Sequence, residues 1–178
     1  SGISSHLIVT DDGLILIDAG TNPMPAMIKE NVEKLGHQVT DIQIILSSHA
    51  HWDHVEGLAE MKRLSGAQVI ALGEDAAAIA SGIDNSALGG TGWEPVEVDR
   101  KIKDGDRISL GNTTLTAHHT PGHTKGCTTW TTRVEEDGKM YDVVFIGGTS
   151  VNLGVDLHEN ERHPDIAQDY ERTFQFLK

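Results

Sequence analysis

The stretch SSHAHWDH, residues 47–54, concentrates side chains that bind metal ions. Its three histidines and one aspartate fall within six consecutive positions. Neutral imidazole and carboxylate groups suit zinc, which they bind at about 2.0–2.2 Å. In an extended segment residues two apart face the same way, so His49 and His51 can reach one ion while the following turn aims Asp53 and His54 at a neighbouring one. A polar loop with chance histidines is the alternative, but four ligands in this order favour a zinc site.

A third ligand for the first ion is predicted in HTPGHTKGC, residues 119–127. Pro121-Gly122 predicts a tight turn between two strands, which would present His123 rigidly. A catalytic zinc site takes three protein ligands and leaves a fourth position for water. A histidine after Pro-Gly alone is more often a turn residue, yet beside HAHWDH it becomes the best third ligand. The other histidines are expected to be packed or exposed, and they are His6, His37, His118, His119, His158 and His163.

The composition indicates a single globular domain over residues 1–178. The chain has 178 residues, of which 38% are hydrophobic and 23% charged, enough for one buried core. No apolar run approaches the roughly 20 residues of a membrane helix. The formal net charge of -13 repels the phosphates of nucleic acid. We therefore expect neither a membrane nor a nucleic acid as partner, and we expect Cys127, the only cysteine, to be a core residue and no nucleophile.

Strands and helices that alternate early in the chain must position these ligands. Apolar and β-branched runs predict strands over residues 6–10, 14–18, 42–46, 68–72, 96–98, 107–110, 113–118, 128–134 and 143–146. Amphipathic spacing predicts helices from Pro25 to a cap at Gly36, over residues 55–64 and 74–80, and from Pro164 onward. The glycine-rich stretch 81–93 is predicted to be a mobile loop that rims the pocket. The fold class is α/β or α+β, with helices covering sheets.

HAHWDH after a hydrophobic strand, with ILIDAG before it and HTPGHT after it, resembles the metallo-β-lactamase superfamily. The resemblance covers nearly the whole chain and implies an α+β fold, an αββα sandwich with metals between the loops of its sheets. It implies that Asp18 of ILIDAG is a buried carboxylate that fixes the metal loops, whereas the alternative is a turn residue at a strand end. The stretches GHTKGCTTWTT and VDRKIKDGDRISLGNTTLTAHHTPGHT look most like subclass B3 β-lactamases, which have a three-histidine first site and an Asp-His-His second site.

Position 148 separates branches of this superfamily. The resemblance implies a metal-bridging aspartate here in glyoxalase II, lactonases and RNA-processing members, and a cysteine in other β-lactamase subclasses. This chain has Gly148 in FIGGTSVN, whereas subclass B3 commonly has serine. Thr149, Ser150 and Asn152 remain nearby as hydrogen-bonding candidates for the substrate. Glu56 is a second departure, because it replaces the first glycine of the family's HxDHxGG pattern, and its charge faces either the metals or the solvent.

The resemblance implies zinc-dependent hydrolysis of the β-lactam amide bond, and hence antibiotic resistance, in the bacterial periplasm. A hydroxide on the zinc held by His49, His51 and His123 would attack the lactam carbonyl. A second zinc at Asp53 and His54 would stabilise the departing nitrogen, and Asp53 would act catalytically by orienting the attacking water. Trp52 is expected to pack over the site or to rim its mouth.

Two other functions stay open. The first is another hydrolase of the same fold that acts on a lactone or thioester, against which the glycine at position 148 counts. The second is a zinc-binding but catalytically silent fragment, because SGISSHLIV begins on what looks like an interior strand of the family and Lys178 precedes the segment that supplies the second-site histidine in subclass B3. We therefore expect truncation at both ends, one tightly held zinc of the two in a complete enzyme, and little activity.

Overall fold

Two β-sheets form the frame of the protein in a computed structural model that describes residues 3–178. The strands of the first sheet, from one edge to the other, are β1 His6–Thr10, β2 Gly13–Ile17, β3 Ile42–Leu46, β4 Gln68–Leu72 and β5 Arg100–Ile102. Strands β1 and β2 are antiparallel, and the other neighbours are parallel. The strands of the second, fully antiparallel sheet are β6 Arg107–Leu110, β7 Thr113–His119, β8 Thr128–Glu136 and β9 Lys139–Phe145.

Helices connect the strands of the first sheet and follow the second. Within residues 3–178 they are α1 Met24–Lys34, a short 3-10 helix Val39–Asp41, α2 Trp52–Val55, α3 Leu58–Ser65, α4 Gly73–Ser81 and α5 Ile166–Phe176. Gly36 ends the first helical segment with a φ of 87°, which glycine adopts without steric cost, as predicted for a cap. None of the described helices is long and apolar enough to cross a bilayer.

The core has two layers, one on each face of the first sheet, and β2 is therefore buried on both of its faces. Leu14 and Leu16 pack toward the helices, whereas Ile15 and Ile17 pack between the two sheets, where Trp130 of β8 is fully buried. Helices α1, α3 and α4 contribute to the first of these layers. Helix α5 contacts the end of β7, where Phe176 packs on His118, and the following turn, where Thr173 Oγ1 donates to the carbonyl of Pro121. The α+β class and the αββα order of layers predicted from the sequence are therefore confirmed.

Two predicted elements are wrong. No strand forms over residues 96–98, because Val96 is buried in the helical layer and donates its N–H to the carbonyl of Ile79. The edge pairing with β4 starts at Arg100 instead, in a charged three-residue strand without an apolar pattern. The predicted helix 55–64 is broken into α2 and α3. At the break Gly57 lies so close to the chain that a Cβ would come within 2.6 Å of the carbonyl oxygen of Ala19.

Candidate metal centre

Three buried imidazoles converge where the two sheets meet. His49 and His51 lie in the extended segment after β3, and His123 lies in the turn between β7 and β8. One ring nitrogen of each lies within 4.8 Å of the other two. His51 Nδ1 and His123 Nε2 are 3.1 Å apart. The structure thus brings together the three residues that the sequence predicts as ligands of the first ion, and their role as ligands stays a prediction.

Burial keeps these imidazoles in the form that binds metals. It lowers the pKa of His49 well below its usual value, and it lowers the pKa of His123 as well. For His51, burial and then the neighbouring His123 lower the pKa to about 4. Neutral imidazole is the form that binds metals, so the three rings need not lose a proton to bind a cation at neutral pH.

Each ring is held through one of its nitrogens. The contacts are His49 Nδ1 with Ser48 Oγ at 3.0 Å, His51 Nε2 with Ser86 Oγ at 3.1 Å, and His123 Nδ1 with the carbonyl of Ser150 at 2.7 Å. A contact of this kind sets the ring orientation and selects the nitrogen left to bind a metal. In a neutral His123, donation from Nδ1 leaves Nε2 unprotonated toward the cluster.

Asp18, which directly follows β2, is a buried carboxylate, and its role in fixing the metal loops stays a prediction. It accepts hydrogen bonds from Ser48 N at 2.7 Å and from Ser48 Oγ at 2.6 Å. Its Oδ2 also lies 2.8 Å from His54 Nδ1. Burial lowers the pKa of His54, but the hydrogen bond and charge of Asp18 outweigh burial and raise it overall. Asp18 has a φ of 61°, which is unusual for a residue with a side chain and often accompanies functional sites.

Asp53 and His54 line the same cavity as the three imidazoles. The cavity has a volume of about 780 Å³. The two side chains approach each other to 4.0 Å, between His54 Nε2 and Asp53 Oδ2, and a third of the Asp53 side chain is exposed. They lie outside the group of three converging ligands, which is the only such group within residues 3–178.

The predicted substrate-binding residues are only partly brought to this cavity. Ser150 and Asn152 line it, but Thr149 is not among the residues that do. The carbonyl of Ser150 accepts hydrogen bonds from His123 Nδ1 and from the hydroxyl of Tyr170, each at 2.7 Å. Ser150 therefore contacts the His123 ring through its backbone carbonyl.

The rim of the cavity includes Trp52, which is 42% exposed, and Leu88. Leu88 belongs to the loop 81–93, so the predicted position of that loop at the pocket is confirmed, while its mobility stays a prediction. The loop is tied down by Arg162, whose guanidinium donates to the carbonyls of Ser86 at 2.9 Å and Asp84 at 2.8 Å.

Both departures from the family pattern have a structural explanation. Glu56 Oε2 accepts a hydrogen bond from Asn22 N at 2.9 Å, and Glu56 is not among the residues lining the cavity. The sequence left open whether the Glu56 carboxylate faces the metal site or the solvent. In the structure it does neither, because it binds the backbone just before α1. At Gly148 a Cβ would come within 2.0 Å of His123 Cδ2. The glycine therefore allows the His123 ring to pack directly on the backbone.

Cys127 and the remaining histidines lie outside the three-imidazole group. Cys127 is fully buried, and burial raises the pKa of its thiol to about 12, as suits a core residue and not a nucleophile. His118 contacts Thr131 Oγ1 at 2.8 Å, and His163 pairs with Asp169 at 2.8 Å. His119 Nε2 donates to the carbonyl of Lys125 at 2.8 Å and so braces the turn that carries His123.

Sequence reasoning missed Ser86, Arg162 and Asp75. Ser86 and Asp75 contact the segments that carry the candidate ligands, and Arg162 holds the loop of Ser86. Ser86 is 35 residues from His51, and Arg162 is 76 residues from Ser86. Asp75 accepts hydrogen bonds from Ala50 N and Gly126 N, in the two segments that carry the candidate ligands. No periodicity or spacing in a single sequence signals such pairs.

Known proteins of two kinds are similar to this chain. The family model described as the metallo-beta-lactamase superfamily matches residues 1–177. The solved FEZ-1 metallo-β-lactamase from Legionella gormanii is 41% identical, with a TM-score of 0.93 over 97% of this chain and 68% of its own. BJP-1, a subclass B3 metallo-β-lactamase of Bradyrhizobium japonicum, is 40% identical, with a TM-score of 0.91 over 98% of this chain and 67% of its own.

The curated relatives carry a different name. A hydroxyacylglutathione hydrolase of Methylobacterium nodulans is 29% identical over 132 residues, which is 74% of this chain and 42% of that protein. Another, from a Bradyrhizobium strain, is 33% identical over 57% of this chain and 32% of its own length. The chain thus spans less than half the length of these relatives.

Proposed function

Because this chain belongs to the metallo-β-lactamase superfamily, we propose that it is a subclass B3-type zinc hydrolase that opens the amide bond of β-lactams. The observation that carries the proposal is the convergence of His49, His51 and His123 beside Gly148. A three-histidine site without a carboxylate or thiolate side chain at position 148 is what the resemblance implies for subclass B3. The similarity to two solved metallo-β-lactamases at 40% identity or more supports the same assignment.

The donor set of the cavity fits zinc. Three neutral, buried imidazoles within 4.8 Å of one another would hold the first ion, and Asp53 with His54 would contribute to a second. When bound, zinc supplies a Lewis acid that polarises a carbonyl oxygen and lowers the pKa of water to about 7. Imidazole and carboxylate donors do not distinguish zinc sharply from neighbouring transition metals, so the identity of the metal belongs to the proposal.

Residues around the cavity would orient the substrate and water. Asp53, partly exposed to the cavity, would accept a hydrogen bond from the attacking water and take its proton. Ser150 and Asn152, which line the cavity, would hydrogen-bond the substrate. The segment 147–154 contains no lysine or arginine, so recognition of the β-lactam carboxylate by neutral groups there would be loose.

Trp52 and Leu88 would pack on apolar substituents of the substrate, because both are partly exposed at the rim of the cavity. A periplasmic location and a role in antibiotic resistance complete the proposal, and both are supported by the resemblance to subclass B3.

A second candidate is hydrolysis of a hydroxyacylglutathione. The curated relatives named hydroxyacylglutathione hydrolases favour it. The glycine at position 148 counts against it, because the resemblance implies a bridging aspartate there in glyoxalase II. A folded protein that binds zinc without turning over either substrate is the third outcome.

The test is turnover of a chromogenic cephalosporin and of a hydroxyacylglutathione by the same zinc-loaded preparation. We expect slow but measurable hydrolysis of the cephalosporin and its loss in His51→Ala, whereas His158→Ala, which removes an exposed histidine away from the cavity, leaves the rate unchanged. Preferential hydrolysis of the thioester would replace the proposal by the second candidate. Zinc binding without either activity would identify a catalytically silent protein.

A further inference from the structure

A single buried carboxylate joins the two loops that carry the three imidazoles. Asp75 lies in the first turn of α4, and it is 1% exposed. Its Oδ2 accepts hydrogen bonds from Ala50 N at 2.8 Å and from Thr124 Oγ1 at 2.6 Å. Its Oδ1 accepts one from Gly126 N at 2.7 Å.

The three donors lie next to the candidate ligands. Ala50 stands between His49 and His51, and Thr124 directly follows His123. The first loop extends from the helix-covered sheet, and the second is a turn of the antiparallel sheet. The two loops therefore come from different sheets and are 72 residues apart between His51 and His123, but they share one acceptor group.

Close packing supports this shared contact. At Gly126 a Cβ would come within 2.7 Å of the Cβ of Asp75 and within 2.5 Å of the carbonyl oxygen of Leu72. Only glycine lets the turn approach the start of α4 this closely. The carboxylate therefore lies where the end of β4, the start of α4 and the turn that carries His123 pack closely together.

Burial of this carboxylate is costly, so its hydrogen bonds must offset the loss of water. Burial raises the pKa of Asp75, and the bonds from Thr124, Ala50 and Gly126 oppose that rise. The contacts described for Asp75 include no lysine or arginine. A buried group of this kind stabilises the arrangement of its donors, and replacing one acceptor oxygen leaves a buried N–H without a partner.

We propose that Asp75 is a positioning residue that sets the separation between the loop of His49 and His51 and the turn of His123, so that the three imidazoles converge before a metal binds. This inference rests on the proposed metal centre. It extends that proposal to the metal-free protein, where the convergence of the rings is a property of the fold. Asp75 itself does not line the cavity.

The direct test is Asp75→Asn, which keeps the shape of the side chain but exchanges one acceptor oxygen for an NH2 group. In either orientation that NH2 faces a backbone N–H, of Ala50 or of Gly126. Zinc affinity of the folded variant is measured by competition with a chelator, and we expect it to be weaker by about 10- to 100-fold. Asp99→Asn is the control, because Asp99 also accepts a backbone N–H, from Val69 at 2.7 Å, but its partners Val69 and Lys62 lie outside both ligand loops.

A second readout requires no metal. The rings of His51 and His123 have centroids 4.6 Å apart, so the metal-free wild type should give nuclear Overhauser contacts between them. We expect Asp75→Asn to weaken these contacts and Asp99→Asn to retain them. If the wild type binds no zinc, the proposed metal centre fails, and the ring contacts still decide the role of Asp75.

Two results would overturn the inference. One is a folded Asp75→Asn protein with wild-type ring contacts, and the other is wild-type zinc affinity in that variant. If Asp75→Asn does not fold, Thr124→Val and Thr124→Ser decide. We expect zinc affinity to fall about tenfold in the valine variant and to stay within about twofold in the serine variant, which keeps the hydroxyl donor. Equal affinities in these two variants would also reject the inference.

Discussion

His54 Nδ1 lies 2.8 Å from Asp18 Oδ2, so the last histidine of HAHWDH is held by the carboxylate at the end of β2. The contact joins the first sheet to the short helix that carries Asp53 and His54. It also directs His54 Nε2 toward Asp53, at 4.0 Å. The carboxylate thus acts on the second pair of candidate ligands without being one of them.

Asp18→Asn should lower the pKa of His54. Burial alone lowers that pKa, and the hydrogen bond and charge of Asp18 now outweigh burial. Loss of an acceptor in this buried group should also destabilise the fold by about 1–3 kcal/mol. An NMR titration of the His54 ring and urea unfolding measure the two effects. Asp41→Asn is the control, because Asp41 accepts Gln38 N in an exposed cap. An unchanged His54 pKa would contradict the prediction.

Gly148→Ala should weaken zinc binding, because the added Cβ would come within 2.0 Å of His123 Cδ2 and must displace the ring. We expect zinc affinity to fall by about tenfold or more. Gly154→Ala is a glycine replacement without a clash, since nothing lies within 4 Å of an added Cβ there, and its φ of 86° makes it the more strained of the two backbones. Wild-type zinc affinity in Gly148→Ala would mean that the His123 ring adapts without cost.

Glu56→Gln should leave KM for anionic β-lactams within about twofold of the wild type, since neutralising a surface charge that does not line the cavity is nearly neutral. The Glu56 carboxylate accepts Asn22 N at 2.9 Å and is not among the groups lining the cavity. The comparison is Asp53→Asn, which should reduce kcat because Asp53 faces the cavity. A clear fall of KM in Glu56→Gln would contradict this prediction and show that the Glu56 charge acts on the substrate site.

Cys127 should resist alkylation in the native protein. Burial raises the pKa of its thiol to about 12, so at pH 8 almost none is the reactive thiolate. We expect modification at pH 8 to be at least about a hundredfold slower in the native protein than in urea, where the thiol has its ordinary pKa. Mass spectrometry of the intact chain follows the reaction. Rapid labelling of the native protein would show that the second sheet opens at this position.

The candidate metal ligands could be predicted from the sequence because the signals for them lie in short runs of neighbouring residues. The spacing of HAHWDH and the Pro-Gly turn before His123 identify side chains that the structure brings together. Apolar runs likewise predicted the strands on both faces of the core, because burial imposes a local pattern on them. In contrast, the edge strand Arg100–Ile102 has two exposed charged residues, so its pairing left no hydrophobic signal.

The supports of the site could not be predicted from one sequence. Asp75 accepts hydrogen bonds from positions 25 and 51 residues away, and Ser86 contacts His51 from a glycine-rich loop. Such contacts depend on how the two sheets and α4 pack, and that packing is specified by the whole core. The break at Gly57 has the same origin, because it reflects the approach of Ala19 and not a helix-ending pattern.

Zinc titration of the metal-free protein should give one tight equivalent. His49, His51 and His123 converge, whereas Asp53 and His54 lack a third ligand in the part of the chain that the structure describes. Two ligands hold zinc poorly at neutral pH, so His51→Ala should abolish the tight equivalent. Isothermal calorimetry, with metal content measured after dialysis, checks the stoichiometry. Two tight equivalents in the wild type would contradict the prediction and require another ligand, for which His6, the remaining histidine that lines the cavity, is the first to substitute.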